Sequence, residues 1–111
     1  MHSQRDLVLI PIPYTDLTSH KKRPVIIISN DDYNGYSEDV IVVAVTSNLE
    51  QVKYSIPIDN SGLEEGSLKV QSMVRPDKIY TLHQGIIIKK FGKVSEDVFK
   101  QIKTAIVKIM G

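Results

Sequence analysis

Arg23 is the residue of this chain best placed to do chemistry. It stands in His20-Lys21-Lys22-Arg23-Pro24, directly ahead of Val25-Ile26-Ile27-Ile28, a run with no polar face. A guanidinium there would be fixed by the Pro24 ring and by the stiff strand behind it. Its rigid fork of donors suits a phosphate. The plainer alternative is a surface or salt-bridged arginine at a strand start.

Thr46-Ser47-Asn48 is the second candidate. It follows the apolar run Val40–Val45, and hydroxyls placed where a buried strand emerges are held rigidly, as a site requires. The same residues also suit an ordinary strand-ending turn. Arg75, in Met73-Val74-Arg75-Pro76, could reach the same groove or pair with Asp77. Other chemistries are poorly provided for. His2, His20 and His83 lack metal-ligand spacing, so no metal or other cofactor is expected. The chain has no cysteine, which excludes disulfides and thiolate metal sites. It has neither a GxSxG elbow nor a GxxxxGK[ST] phosphate loop. Asp31-Asp32 reads as turn chemistry rather than a carboxylate pair.

These groups must be positioned by short strands. The first runs from Asp6 to Ile12 and is ended by Pro11 and Pro13, which cannot donate to a ladder. Tyr14–Lys22 is a polar loop, long for a hairpin and therefore a candidate functional segment. Val25–Ser29 and Val40–Val45 are strands, with the turn cluster Asn30–Gly35 between them. Tyr54–Ile58 and Leu68–Val74 alternate as strands do, and Lys78–Leu82 is a short strand. Gly85–Lys89 either continues the sheet or begins a turn. Ser95–Met110 is a helix. Ser95 caps it, Glu96 and Asp97 suit its positive end, and Val98, Phe99, Ile102, Ala105, Ile106 and Ile109 form one apolar stripe.

Five to seven strands followed by a helix predict a mainly β domain with helices over residues 1–111, a small, strongly bent sheet or barrel. Strands with no polar face imply a sheet covered on both sides. A second copy of the chain is expected to supply part of that cover.

The net charge of +1 hides an asymmetry. Residues 1–60 carry 5 Lys/Arg against 8 Asp/Glu, and residues 61–111 carry 9 against 5. That balance argues against massive non-specific nucleic-acid binding and leaves room for a local basic groove. No apolar run has membrane-spanning length, and the first residues lack signal-peptide organisation. A soluble, cytoplasmic protein is expected.

At these residues the chain resembles the MazF/PemK toxins, the ribonuclease halves of type II toxin–antitoxin systems. The matching stretches are Asp6–Pro11, Pro13–Leu17, Lys22–Asn30, Val45–Asn48 and Gly92–Ser95. The resemblance runs essentially end to end. It implies a small SH3-like barrel of the CcdB/PemK kind with a C-terminal helix, assembled as a homodimer. It implies sequence-specific, metal-independent cleavage of single-stranded messenger RNA, and a cognate antitoxin that fills the groove. The family's catalytic arginine falls on Arg23 and its catalytic threonine on Thr46. The loop with Tyr14, Thr15 and His20 would border the RNA, together with Lys21, Lys22, Ser47, Asn48 and Arg75.

Such cleavage uses the RNA's own 2′-hydroxyl as nucleophile, giving a 2′,3′-cyclic phosphate and a 5′-hydroxyl. Arg23 is expected mainly to stabilise the charge developing on phosphorus, with donation to the leaving oxygen a further role. As a proton acceptor it is unsuitable, because it is always charged. His20 is a secondary candidate for that role. Thr46 would donate to a phosphate oxygen. Two departures stand out. Arg5 occupies a position where the family often has glycine. Near Arg75, Met73 and Pro76 replace the usual glutamine and threonine, with Gln71 expected on the same strand face as Met73. The alternatives are a CcdB-like toxin that acts by binding and a catalytically silent RNA-binding module.

Overall fold

The computed structural model describes residues 2–11 and 21–111. Seven strands form one sheet: β1 (Asp6–Pro11), β2 (Lys22–Ile27), β3 (Asp39–Thr46), β4 (Ile56–Ile58), β5 (Leu63–Gly66), β6 (Ser72–His83) and β7 (Lys89–Val94). Their order is β4-β6-β3-β2-β1-β7-β5, every pairing antiparallel. A short helix α1 (Asp31–Tyr36) joins β2 to β3, and α2 (Glu96–Met110) closes the chain. The sheet is an antiparallel half-barrel with a C-terminal helix, mainly β as the sequence predicts, where the sequence reading expects a small, strongly bent sheet or barrel.

The all-apolar strands have a direct explanation. Successive side chains of a strand point to opposite faces. Leu7, Ile26 and Val43 enter a core with Ile102 and Ala105 of α2. Val8, Val25, Ile27 and Val42 enter a second core on the other face, bordered by Leu82 and Ile87. Val25, Ile26 and Ile27, which feed both cores, are each 0% exposed within one chain. Leu82 near the end of β6 and Ile87 after it cover part of the second core within one chain, so the burial of these strands does not by itself call for the second copy expected to supply part of that cover.

Several elements differ from the sequence reading. Asn30–Gly35 is not merely a turn. The Asn30 side chain accepts from the Tyr33 amide at 2.8 Å and so caps a helical turn. The strand expected from Leu68 begins only at Ser72. The Leu68 amide instead donates to Asn60 Oδ1 at 2.7 Å, which draws the backbone away from any ladder. Gln71 thus lies before β6, not on the Met73 strand face, and Met73 itself is buried. Lys78–Leu82 is part of β6 rather than separate. Ala44 pairs with Arg75 but Val43 pairs with Ile79, so Pro76, Asp77 and Lys78 form a bulge. A bulge is where a strand tolerates proline. Gly85 lies in the 3₁₀ turn Gln84–Ile86, and the sheet resumes at Lys89. The last helix is as expected, with Ser95 Oγ accepting from the Val98 amide at 3.2 Å.

Arg5 shows why glycine would suit its position. Its φ is 77°, the left-handed region that costs a non-glycine residue about 1–2 kcal/mol. The side chain offsets this by donating from Nη1 to the Val94 carbonyl at 3.0 Å and to Glu64 at 3.4 Å. Both contacts vanish in Arg5→Ala and in Arg5→Gly, but only glycine removes the backbone strain. Chemical denaturation should therefore find Arg5→Gly more stable than Arg5→Ala by about 1 kcal/mol. Equal stabilities would mean that the backbone there is unstrained.

Candidate active site

The β2–β3 ladder pairs Val25 with Ala44. Arg23 on β2 and Thr46 on β3 each lie two residues beyond that pair, on the same face of their strands. Ala44 also pairs with Arg75 of β6. Residues opposite one another across a ladder share a face, as do residues two apart on a strand. Arg23, Thr46 and Arg75 therefore continue the face that begins with the apolar residues Val25, Ile27 and Val42. The second core ends and a polar patch begins on the same surface.

Here lies a cleft of ≈ 140 Å³, lined by Arg23, Thr46, Asn48, Glu50, Arg75 and Lys78 together with Ala44, Val45 and Val52. Three cations and one carboxylate line this space. Arg23 is half-buried, and among the described residues it forms no ion pair. Thr46 Oγ1 accepts from the Asn48 amide at 3.1 Å, and Asn48 Oδ1 accepts from the Glu50 amide at 3.0 Å. These contacts fix the turn after β3. They use the threonine oxygen only as acceptor, which leaves its proton available for donation.

Both expectations for Arg75 hold. It lines the cleft, and it forms a fork to Asp77, Nε to Oδ1 at 2.9 Å and Nη2 to Oδ2 at 2.7 Å. The pair holds the Asp77 carboxyl below the usual carboxylate range and raises the Arg75 guanidinium above its ordinary value. Arg75 is thus an oriented, permanently charged group. The bulge at Pro76–Lys78 makes the fork possible and turns Lys78 into the cleft.

The remaining expected residues separate. Ser47 follows Thr46, points the other way, and lines a different hollow of ≈ 410 Å³ with Pro24, Leu9 and Phe91. Lys21 and Lys22 are exposed at the start of β2, Lys22 opposite Pro11, and neither lines the cleft. Tyr14, Thr15 and His20 lie outside the described residues. Sequence reasoning missed Glu50 and Lys78. Glu50 could have been suspected only from its place in the turn that starts at Thr46, and Lys78 reaches the cleft through a bulge that has no local pattern. A larger hollow of ≈ 650 Å³ lies along the outer side of α2, by Arg5, Phe99, Lys103 and Val107, and holds none of these groups. Among the described residues no three His, Asp or Glu side chains converge as metal ligands would, and no helix is long and apolar enough to cross a membrane.

Residues 3–110 match the family model described as PemK-like, MazF-like toxin of type II toxin–antitoxin system. The chain belongs to this family. A curated relative, the endoribonuclease MazF of Staphylococcus saprophyticus, is 31% identical over 86 residues, which span 76% of this chain and 69% of the relative. Among solved structures, a mycobacterial endoribonuclease in complex with its cognate antitoxin superposes with a TM-score of 0.82 at 20% identity, covering 100% of this chain and 96% of that one. MazF from the MazE–MazF complex of Deinococcus radiodurans gives 0.76 at 18% identity, over 99% and 95% of the two chains. At such identities the structures speak for the MazF-like fold, while the family match and the curated relative carry the kinship.

Proposed function

We propose that this MazF-like toxin is a sequence-specific endoribonuclease that cuts single-stranded messenger RNA by attack of the 2′-hydroxyl on the adjacent phosphorus, with no metal taking part. The observation that carries the reading is the meeting of Arg23 and Thr46, from different strands, in one small cationic cleft. Arg23 stabilises the charge that develops on the pentavalent phosphorus and hydrogen-bonds the departing 5′-oxygen, while Thr46 donates to a non-bridging oxygen. Arg75, oriented by Asp77, and Lys78 hold the same or the next phosphate. Lys21 and Lys22 engage phosphates further along the strand. Asn48, and the loop with Tyr14, Thr15 and His20, contact the bases. Ser47, on the opposite face, reaches RNA only where the strand passes over the end of β3.

The protein works as a homodimer regulated by a cognate antitoxin that occludes this cleft. The relatives captured with antitoxins support the second partner. Ile79, Tyr80, Ile86 and Ile88, apolar residues left exposed on and after β6, support the first. Purified protein incubated with mixed-sequence RNA in EDTA should yield discrete fragments. Well-folded protein that cuts none of a varied set of RNAs would instead support the binding-toxin or silent-module reading.

A further inference from the structure

The cleft contains an answer to the question of where the nucleophile's proton goes. Arg23, Arg75 and Lys78 are cations and cannot accept it. Thr46 is a weak acceptor whose oxygen already receives the Asn48 amide. Asp77 is near, but Arg75 occupies both of its oxygens, at 2.9 and 2.7 Å. Glu50 is the one carboxylate among the described walls of the cleft. Its charge is felt by Arg75 across that space. Its amide is tied to Asn48 Oδ1 at 3.0 Å, and Asn48 in turn to Thr46. Thr46 and the residue that carries the cleft's carboxylate, Glu50, are therefore the ends of one hydrogen-bonded turn. The groups facing Glu50 are Arg23 from β2, Thr46 and Asn48 from the end of β3, and Arg75 and Lys78 from β6.

We infer that Glu50 is the proton acceptor for the 2′-hydroxyl, an inference that rests on the RNA-cleaving reading above. In the step, the Glu50 carboxylate takes the 2′-hydroxyl proton as the 2′-oxygen–phosphorus bond forms. The phosphorus–5′-oxygen bond breaks, and the 5′-oxygen leaves with the electron pair and takes a proton from water. Glu50 returns its proton to solvent, so no further reactant is consumed. The products are a 2′,3′-cyclic phosphate and a 5′-hydroxyl.

Glu50→Gln tests this. The residue is exposed, so the variant should fold as wild type, and circular dichroism checks that it does. Both proteins are assayed on one single-stranded RNA from about pH 6 to about pH 9. At saturating RNA, kcat should fall roughly 10²–10³-fold near neutrality, with KM unchanged or lower because an anion has left a phosphate-binding cleft. The deficit should shrink as pH rises, since hydroxide can then remove the proton. A kcat equal to or above wild type, or a deficit constant across pH, would overturn the role while leaving the endoribonuclease reading intact. Wild type that cuts nothing would overturn both.

Discussion

Arg23→Ala should cut RNA roughly 10²–10³-fold more slowly than wild type at saturating substrate, the cost of losing one preorganised donor to a developing oxyanion. That is about 3–4 kcal/mol of transition-state stabilisation. Arg23 can carry so much because of where β2 places it. The strand is apolar on both faces and solvent-free from Val25 to Ile27, so its backbone has little freedom. Pro24 restricts Arg23 itself to extended conformations. The guanidinium is therefore held in place before any substrate arrives. The loss should be catalytic rather than structural: Arg23 is only half-buried, and its melting temperature should match wild type within error. Arg23→Lys keeps the charge but loses the planar fork, and should fall between the two. Steady-state cleavage beside thermal unfolding separates these outcomes. A variant that cuts at the wild-type rate would remove Arg23 from the mechanism.

Ile26→Ala should give the largest stability change. Ile26 is 0% exposed, within the core shared by Leu7, Val43 and Ile102. Removing most of such a side chain costs about 2–5 kcal/mol, the transfer loss plus an unfilled cavity. Against a total stability of about 5–15 kcal/mol for an ordinary domain, this is a large fraction. Because Ile26 lies three residues from Arg23, the remaining folded protein should also cut more slowly, through a looser β2. Denaturant titration would measure the first effect and cleavage at low temperature the second. A cost below about 1 kcal/mol would mean that β2 is not clamped from the α2 side.

How far the sequence could be read follows from where its information sits. β1, β2, β3 and α2 were legible because their patterns are local: apolar runs ended by prolines and a turn, and an apolar stripe after a serine cap. β5 was not. Leu63-Glu64-Glu65-Gly66 has no apolar alternation, and it becomes a strand only by pairing with β7, far along the chain. Its reason for glycine is equally non-local: Gly66 has φ 79°, and a Cβ there would lie 2.1 Å from the Phe91 carbonyl oxygen. The unity of β6 was hidden by Arg75-Pro76, which reads as a break until the bulge is seen. In the site, Arg23 and Thr46 stood out as rigidly held polar groups at the ends of buried strands. That Ser47 would part from Thr46 follows from strand alternation. That Glu50 and Lys78 would join it depends on a turn and a bulge, which no spacing encodes.

The central claim is that the RNA supplies its own nucleophile in the Arg23–Thr46 cleft. It is tested most directly with an oligonucleotide carrying one mapped cleavage site, in EDTA, compared with the same strand bearing a single 2′-deoxynucleotide immediately 5′ to the scissile phosphate. Cleavage of the all-ribose strand to a 2′,3′-cyclic phosphate and a 5′-hydroxyl, with no cleavage of the deoxy-substituted strand, is the result expected. Cleavage of the substituted strand at the same bond would contradict the claim, because the attacking oxygen would then have to come from elsewhere.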